Sequence, residues 1–281
     1  MTLGYRFQVA RCSKKRPFHR HWLNCRPRPN PATHKITPVY RASKPDTTDF
    51  RYVLKLKTPK TAALYVGSTV HAVLKLWNRA RWRKETLTTE QLQQAFETAW
   101  VTEQQTEKVN WQPDEEPDEK KQGWALLQTY FAKSPIPPDE RPEGVEVALE
   151  ADLSKHGLPK LIGILDLVRA GGRIVDYKTV GQTPKDERAI HSNEVQLTAH
   201  SILYREATGK VEGGRELHQL VKLKEPKLII TEQGPMTEPQ QTRFFKQLES
   251  YVAGLDRADF IPSPGMQCVM CSYFNDCRKW S

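Results

Sequence analysis

Two apolar runs that each end on an aspartate, with a glycine pair between them, constrain this chain more than any other stretch. Leu161-Ile162-Gly163-Ile164-Leu165 runs into Asp166, Gly171-Gly172 follows, and Ile174-Val175 runs into Asp176-Tyr177-Lys178. Short apolar runs about a glycine turn signal predict a β-hairpin over 159–180. Side chains alternate across a strand, so Asp176 and Lys178, two residues apart, share a face. Asp166 joins that face only if the loop holds an odd number of residues. A three-residue loop, Ala170-Gly171-Gly172 with Gly172 left-handed, meets the condition, whereas a two-residue Gly-Gly loop would set Asp166 against Tyr177.

Two carboxylates on neighbouring strands repel, and both stay ionised only with a cation between them. Carboxylate oxygens suit a hard ion such as Mg2+ or Mn2+, which can polarise a phosphodiester and lower the pKa of a bound water. A lysine on the same face can orient that water or stabilise charge building on the phosphate. A solvated surface hairpin satisfies an isolated Asp-x-Lys equally, but both acids here interrupt apolar runs, and an aspartate ending a buried strand needs a partner or a task.

Gly163-Ile164-Leu165-Asp166 followed by Asp176-Tyr177-Lys178-Thr179 resembles the core of the PD-(D/E)XK nuclease superfamily in its RecB-like branch. The resemblance implies an α/β fold with a restriction-endonuclease-like core, a mixed central sheet flanked by helices, and a metal-dependent hydrolysis of DNA. It also implies that Gly67 to His71 is the G-x-x-x-H helix that precedes the hairpin in that family, which makes His71 a metal ligand beside Asp166 and Asp176; read alone, a histidine at the border of an apolar stripe is more often a packing residue. Glu146 is the nearest match to an acid such proteins carry on the adjoining strand, and a solvent-facing strand glutamate fits it equally. Gln196 matches the glutamine of a Q-x-x-x-Y element read as contacting DNA or the catalytic lysine, while His200 stands where the tyrosine is expected.

The elements around the hairpin follow from periodicity. A helix is predicted to start at Gly67, with Val70, Val73, Leu74 and Trp77 as its apolar stripe. A second begins at Thr88 with Gln91 at capping-box spacing, and a third covers Lys121 to Lys133. The acidic run Asp114 to Glu119 between them reads as a solvated loop, and the two helices as an insertion over the core. Val145, Val147, Leu149 and Ala151 predict a half-buried strand; a helix is expected from Asn193 to Thr208, strands over 217–223 and 227–231, and a long helix over 237–258. The expected organisation is therefore an irregular arm over 1–49 and one domain over 50–281, comprising a helical part (50–135), a catalytic core (143–235) and a C-terminal helix with a cysteine cluster (237–281).

Cys268-x-x-Cys271-x5-Cys277 is too compact to be accidental in a reducing compartment and reads as a metal site that lacks a local fourth ligand. Zinc or a [4Fe-4S] cluster would each want four. The resemblance favours the iron–sulfur cluster, since CRISPR-associated RecB-type and AddB-type exonucleases close such a triad with one N-terminal cysteine. Here Cys25 is the nearer candidate and Cys12 the other.

Residues 1–45 hold eleven Arg or Lys and no acid, so the net charge of +10 resides in this arm and the other 236 residues sum to −1. An unstructured or non-native arm, a tether following a phosphate backbone and a transit peptide all fit, in that order. No apolar run approaches the roughly 18 residues of a membrane span and no signal peptide is visible, so a soluble, cytoplasmic protein with no membrane partner is expected. No Walker loop occurs, and any helicase would be a partner subunit. The expected function is a metal-dependent DNA nuclease, an exonuclease acting on single-stranded DNA or DNA ends, in DNA repair, recombination or related processing; the rival is an inert DNA-binding adaptor built on the same core.

Overall fold

The computed structural model describes residues 55–106, 108–184, 188–257, 265, 268, 269 and 271–279. The basic arm, the entry at Phe50 to Tyr52, Cys12 and Cys25 lie outside them. Three helices come first: α1 (Ala62–Arg83), α2 (Thr89–Thr106) and α3 (Glu115–Lys133). The start signal of α1 is Thr61, whose hydroxyl accepts the Leu64 N–H, so the helix begins well before Gly67. Thr88 and Gln91 exchange the two capping-box bonds at the head of α2. The expected acidic loop is instead the first turn of α3, where Glu115, Glu116 and Asp118 complement the helix dipole and Pro117 needs no amide partner.

Five strands follow as one sheet in the order β1 (Gly144–Ala151), β2 (Leu161–Arg169), β3 (Arg173–Val180), β4 (Gly214–Val221), β5 (Lys227–Gln233). All neighbours are antiparallel except β3 and β4, whose parallel pairing requires the crossover helix α4 (Arg188–Thr208). Helix α5 (Glu238–Asp256) opens with a capping box between Thr237 and Gln240, and the short α6 (Phe274–Lys279) ends the described chain. The mixed sheet flanked by helices is the expected fold class.

The hairpin turns as the odd-loop argument requires. Arg169 pairs with Arg173, leaving the three residues Ala170 to Gly172 as the loop, and Gly171 (φ 74°) and Gly172 (φ 71°) are both left-handed. Ladder pairing of β2 with β3 stops at Leu167–Val175, one step short of Asp166 and Asp176, whereas β3 pairs with β4 along its whole length.

Two cores flank the sheet. Helices α1 to α3 pack Tyr65, Phe96, Trp100, Leu127 and Tyr130 against Val175, Tyr177 and Leu220; α4 and α5 pack Leu203, Phe244 and Leu248 against Ile174. Val145 and Leu149 would share a face of a regular strand, yet Val145 packs into the first core and Leu149 against the second, and Leu167 and Leu165 divide the same way. The strands change faces at Glu146, which holds a left-handed φ of 50° inside β1. The buried Glu216 of β4 accepts from Arg169 and Arg173, which also bind Glu140 and Glu232. Tyr273, just before α6, is buried, and its hydroxyl donates to the Leu56 carbonyl at 3.2 Å.

Candidate active site

The backbone of Tyr177 organises the site. Beyond Leu167–Val175 the strands part, and the carboxylate of Asp166 fills the gap by accepting the Tyr177 N–H at 3.0 Å. From the third turn of α1, His71 places Nε2 at 3.0 Å from the Tyr177 carbonyl oxygen. A carbonyl only accepts, so Nε2 carries the proton, and Nδ1 faces Asp166 Oδ2 at 3.7 Å. Fixing one ring nitrogen on a backbone carbonyl is how a histidine is oriented to offer the other to a metal.

The Tyr177 side chain is held as firmly on the other side. Asn78 donates to its hydroxyl at 3.1 Å, the Tyr130 hydroxyl lies 3.3 Å away, and Tyr130 contacts His218 Nδ1 at 3.0 Å, with His218 Nε2 donating to Glu216 at 2.9 Å. Buried polar groups linked this way fix a single arrangement only when each is satisfied.

His71, Glu146 and Asp166 each offer a ligand atom, and the three atoms lie within 4.8 Å of one another. The left-handed kink of Glu146, level with Asp166 in the β1–β2 register, brings its carboxylate into the cluster. Lys75, one turn after His71 on α1, donates to Glu146 Oε2 at 3.2 Å. Two carboxylates and an imidazole nitrogen form a donor set that suits Mg2+ or Mn2+ better than a soft ion. Burial opposes the charge on Asp166, but His71, then Lys178 and the Tyr177 amide, bring its pKa down to about 2. Burial likewise opposes a proton on His71, and the Asp166 carboxylate more than offsets it, so its pKa is raised.

Beside this cluster, Asp176 and Lys178 point the same way from β3, are both buried, and form an ion pair. Gln196 of α4 donates Nε2 to Asp176 Oδ1 at 2.6 Å, so its contact is with the acid rather than the lysine. Asp176 thus adjoins the His71–Glu146–Asp166 trio without belonging to it. His200, one turn beyond Gln196, is buried; its Nδ1 has no hydrogen-bond partner among the described residues, and burial lowers its pKa against the pull of Asp176 and Asp166. The hairpin reading named Asp166, Asp176 and Lys178, and the family resemblance named Gln196, Glu146 and His71. Neither singled out Lys75, although Lys75 follows His71 by four residues and so shares its helical face.

At the C-terminus Cys268, Cys271 and Cys277 are half-buried, and among the described residues no disulfide joins them. Among the described residues, no helix is long and apolar enough to cross a membrane.

A family model described as the PD-(D/E)XK nuclease superfamily matches residues 49–278. Among solved structures, a protein from Eubacterium rectale provisionally named an exonuclease aligns over 82% of this chain and 80% of its own, at 14% identity and a TM-score of 0.55. An alkaline exonuclease from Laribacter hongkongensis aligns over 72% of this chain and 89% of its own, at 9% identity and a TM-score of 0.29. No curated protein matches the sequence.

Proposed function

Because the chain belongs to the PD-(D/E)XK nuclease superfamily, we propose that it is a metal-dependent deoxyribonuclease of the RecB-like branch that hydrolyses phosphodiester bonds in single-stranded DNA or at DNA ends. The observation that carries this reading is the meeting of two arrangements at one hairpin: the His71–Glu146–Asp166 cluster, drawn from α1, β1 and β2, and alongside it the buried Asp176–Lys178 pair of β3. His71, Glu146 and Asp166, with Asp176 adjoining, would hold Mg2+ or Mn2+, which when bound would supply electrophilic polarisation of the phosphodiester and a water of lowered pKa.

The chain's own groups do the rest. Tyr177 sets His71 and Asp166 from its carbonyl and amide. Gln196 and Lys178 fix the Asp176 carboxylate, and in this reading the Lys178 ammonium orients the attacking water and stabilises negative charge on the phosphate. The water gives up one proton to solvent as its oxygen forms the new P–O bond, the bond to the departing sugar oxygen breaks, and that oxygen takes up a proton from solvent.

The cysteine triad is read as three ligands of a [4Fe-4S] cluster closed by an N-terminal thiol, Cys25 before Cys12. The Tyr273–Leu56 bond supports it by tying the cysteine segment to the N-terminal side of the domain. Zinc is the alternative, and metal analysis with absorbance near 400 nm distinguishes the two. A helicase subunit is the class of partner that would deliver single strands, and repair or recombination the setting.

Asp176→Ala tests the reading. It should reduce Mg2+- or Mn2+-dependent cleavage of labelled single-stranded DNA by about 100-fold or more with an unchanged circular dichroism spectrum. Undiminished cleavage by that variant would refute the assignment, and a wild type inert with both ions would leave the adaptor reading.

A further inference from the structure

A groove of about 300 Å³ runs along the outer edge of β1, between the end of α1 and Ala207 near the end of α4. Its floor is the strand from Gly144 to Leu149, its wall is Arg79 and Trp82, Glu143 lines one end with its carboxylate accepting the Gly171 N–H, and Glu146 of the candidate metal cluster opens into it. The strand is at the edge of the sheet, so the main-chain groups on that side have no ladder partner. The groove and the candidate metal centre are therefore continuous, joined at one side chain.

Arg79 belongs to a regular basic face of α1 that leads from the metal cluster to the groove. His71, Lys75 and Arg79 recur every four residues and so line one face of α1, with Arg79 roughly 12 Å along the helix from His71. Lys75 is occupied by Glu146. Arg79 is different: among the described residues it has neither an ion-pair nor a hydrogen-bond partner, and its Nε is buried. A half-buried guanidinium left without an acceptor in a groove calls for an anionic occupant that brings one. Trp82 adds a partly exposed indole, with Arg141 stacked over it at 5.0 Å as a second cation at the rim.

We propose that this groove holds the DNA strand next to the bond being cut, with Arg79 binding a backbone phosphate and Trp82 stacking a base. The proposal rests on the nuclease reading. An unpartnered arginine beside an aromatic ring is the combination that grips single-stranded nucleic acid without reading its sequence. A peptide adding to the edge of β1 would use the same main-chain groups but would leave Arg79 without an anion.

The test measures binding of a fluorescent 20-mer oligothymidylate by anisotropy over a range of salt, with Mg2+ present and every protein carrying Asp176→Ala so that the strand stays intact. Arg79→Ala should weaken binding about tenfold and lower the slope of log affinity against log salt by about 0.7, the contribution of one phosphate contact on a single strand. Arg79→Lys should keep the slope while recovering part of the affinity, and Trp82→Ala should weaken binding with the slope unchanged. Thermal melts confirm that each variant is folded, with Arg79→Lys and Trp82→Phe as the milder pair. Unaltered affinity and slope in Arg79→Ala overturn the proposal and leave the edge of β1 to a peptide strand. Cleavage by the wild type is scored separately: its absence sinks the nuclease reading, whereas its presence with an unaltered Arg79→Ala slope sinks only the groove.

Discussion

Replacing Glu216 with glutamine probes how far the fold depends on one buried charge. Its carboxylate is fully buried in β4 and accepts from Arg169 Nη1 at 2.8 and 2.9 Å, from Arg173 Nε at 2.6 Å and from His218 Nε2 at 2.9 Å. Burial pushes its pKa up, but His218, Arg173 and Arg169 together bring it from 4.5 to about 2. That difference corresponds to about 3 kcal/mol of stability at neutral pH. The sign follows from the direction: a depressed carboxylate stabilises fully above its unfolded value near 4.5, and the contribution is lost as pH falls through about 2.

Glutamine preserves the shape but leaves Arg169 with Glu140 and Arg173 with Glu232 as their remaining carboxylates. Removing one partner of a buried pair costs about 3–5 kcal/mol, against a total stability of roughly 5–15 kcal/mol for a domain. We therefore expect Glu216→Gln to fold at 25 °C with about 3 kcal/mol less stability at pH 7, measured by urea unfolding followed through tryptophan fluorescence. The gap to wild type should narrow steadily between pH 4.5 and pH 2. A gap below about 1 kcal/mol at pH 7, or one that persists undiminished in acid, would refute the reasoning.

Two further substitutions address the turn and the kink. Gly172→Ala puts a side chain on a φ of 71° and drives its Cβ into the Tyr204 hydroxyl; a loss of about 2–3 kcal/mol is expected in the same unfolding assay. Glu146→Gly relieves a left-handed φ at a non-glycine residue and removes a carboxylate from the cluster. The metal-free protein should melt no lower than wild type, gaining up to about 1 kcal/mol, while Mn2+ binding in titration calorimetry weakens tenfold or more.

The hairpin was legible because its information is local. Loop parity and strand alternation place Asp166, Asp176 and Lys178 correctly from Gly171 and Gly172 alone, the one difference being that both glycines, not only the second, are left-handed. The capping boxes at Thr88 and Thr237 were legible for the same reason. What failed to show was tertiary. The acids from Glu115 to Asp118 read as a loop because composition cannot tell a solvated linker from a helix N-terminus. The alternation of Val145, Val147, Leu149 and Ala151 predicts one buried face, and nothing in the letters reveals the change of face at Glu146 that divides them between two cores. That kink also decides whether Glu146 is a surface acid or a member of the cluster.

The parting of β2 from β3 has a spectroscopic consequence. Because the amide proton of Tyr177 rests on a titratable carboxylate where a sheet would offer a carbonyl, its chemical shift and solvent exchange are tied to whatever Asp166 is bound to. One main-chain resonance in the middle of β3 thereby reports ion occupancy and protonation at the centre, while the neighbouring amides of the β3–β4 ladder stay silent.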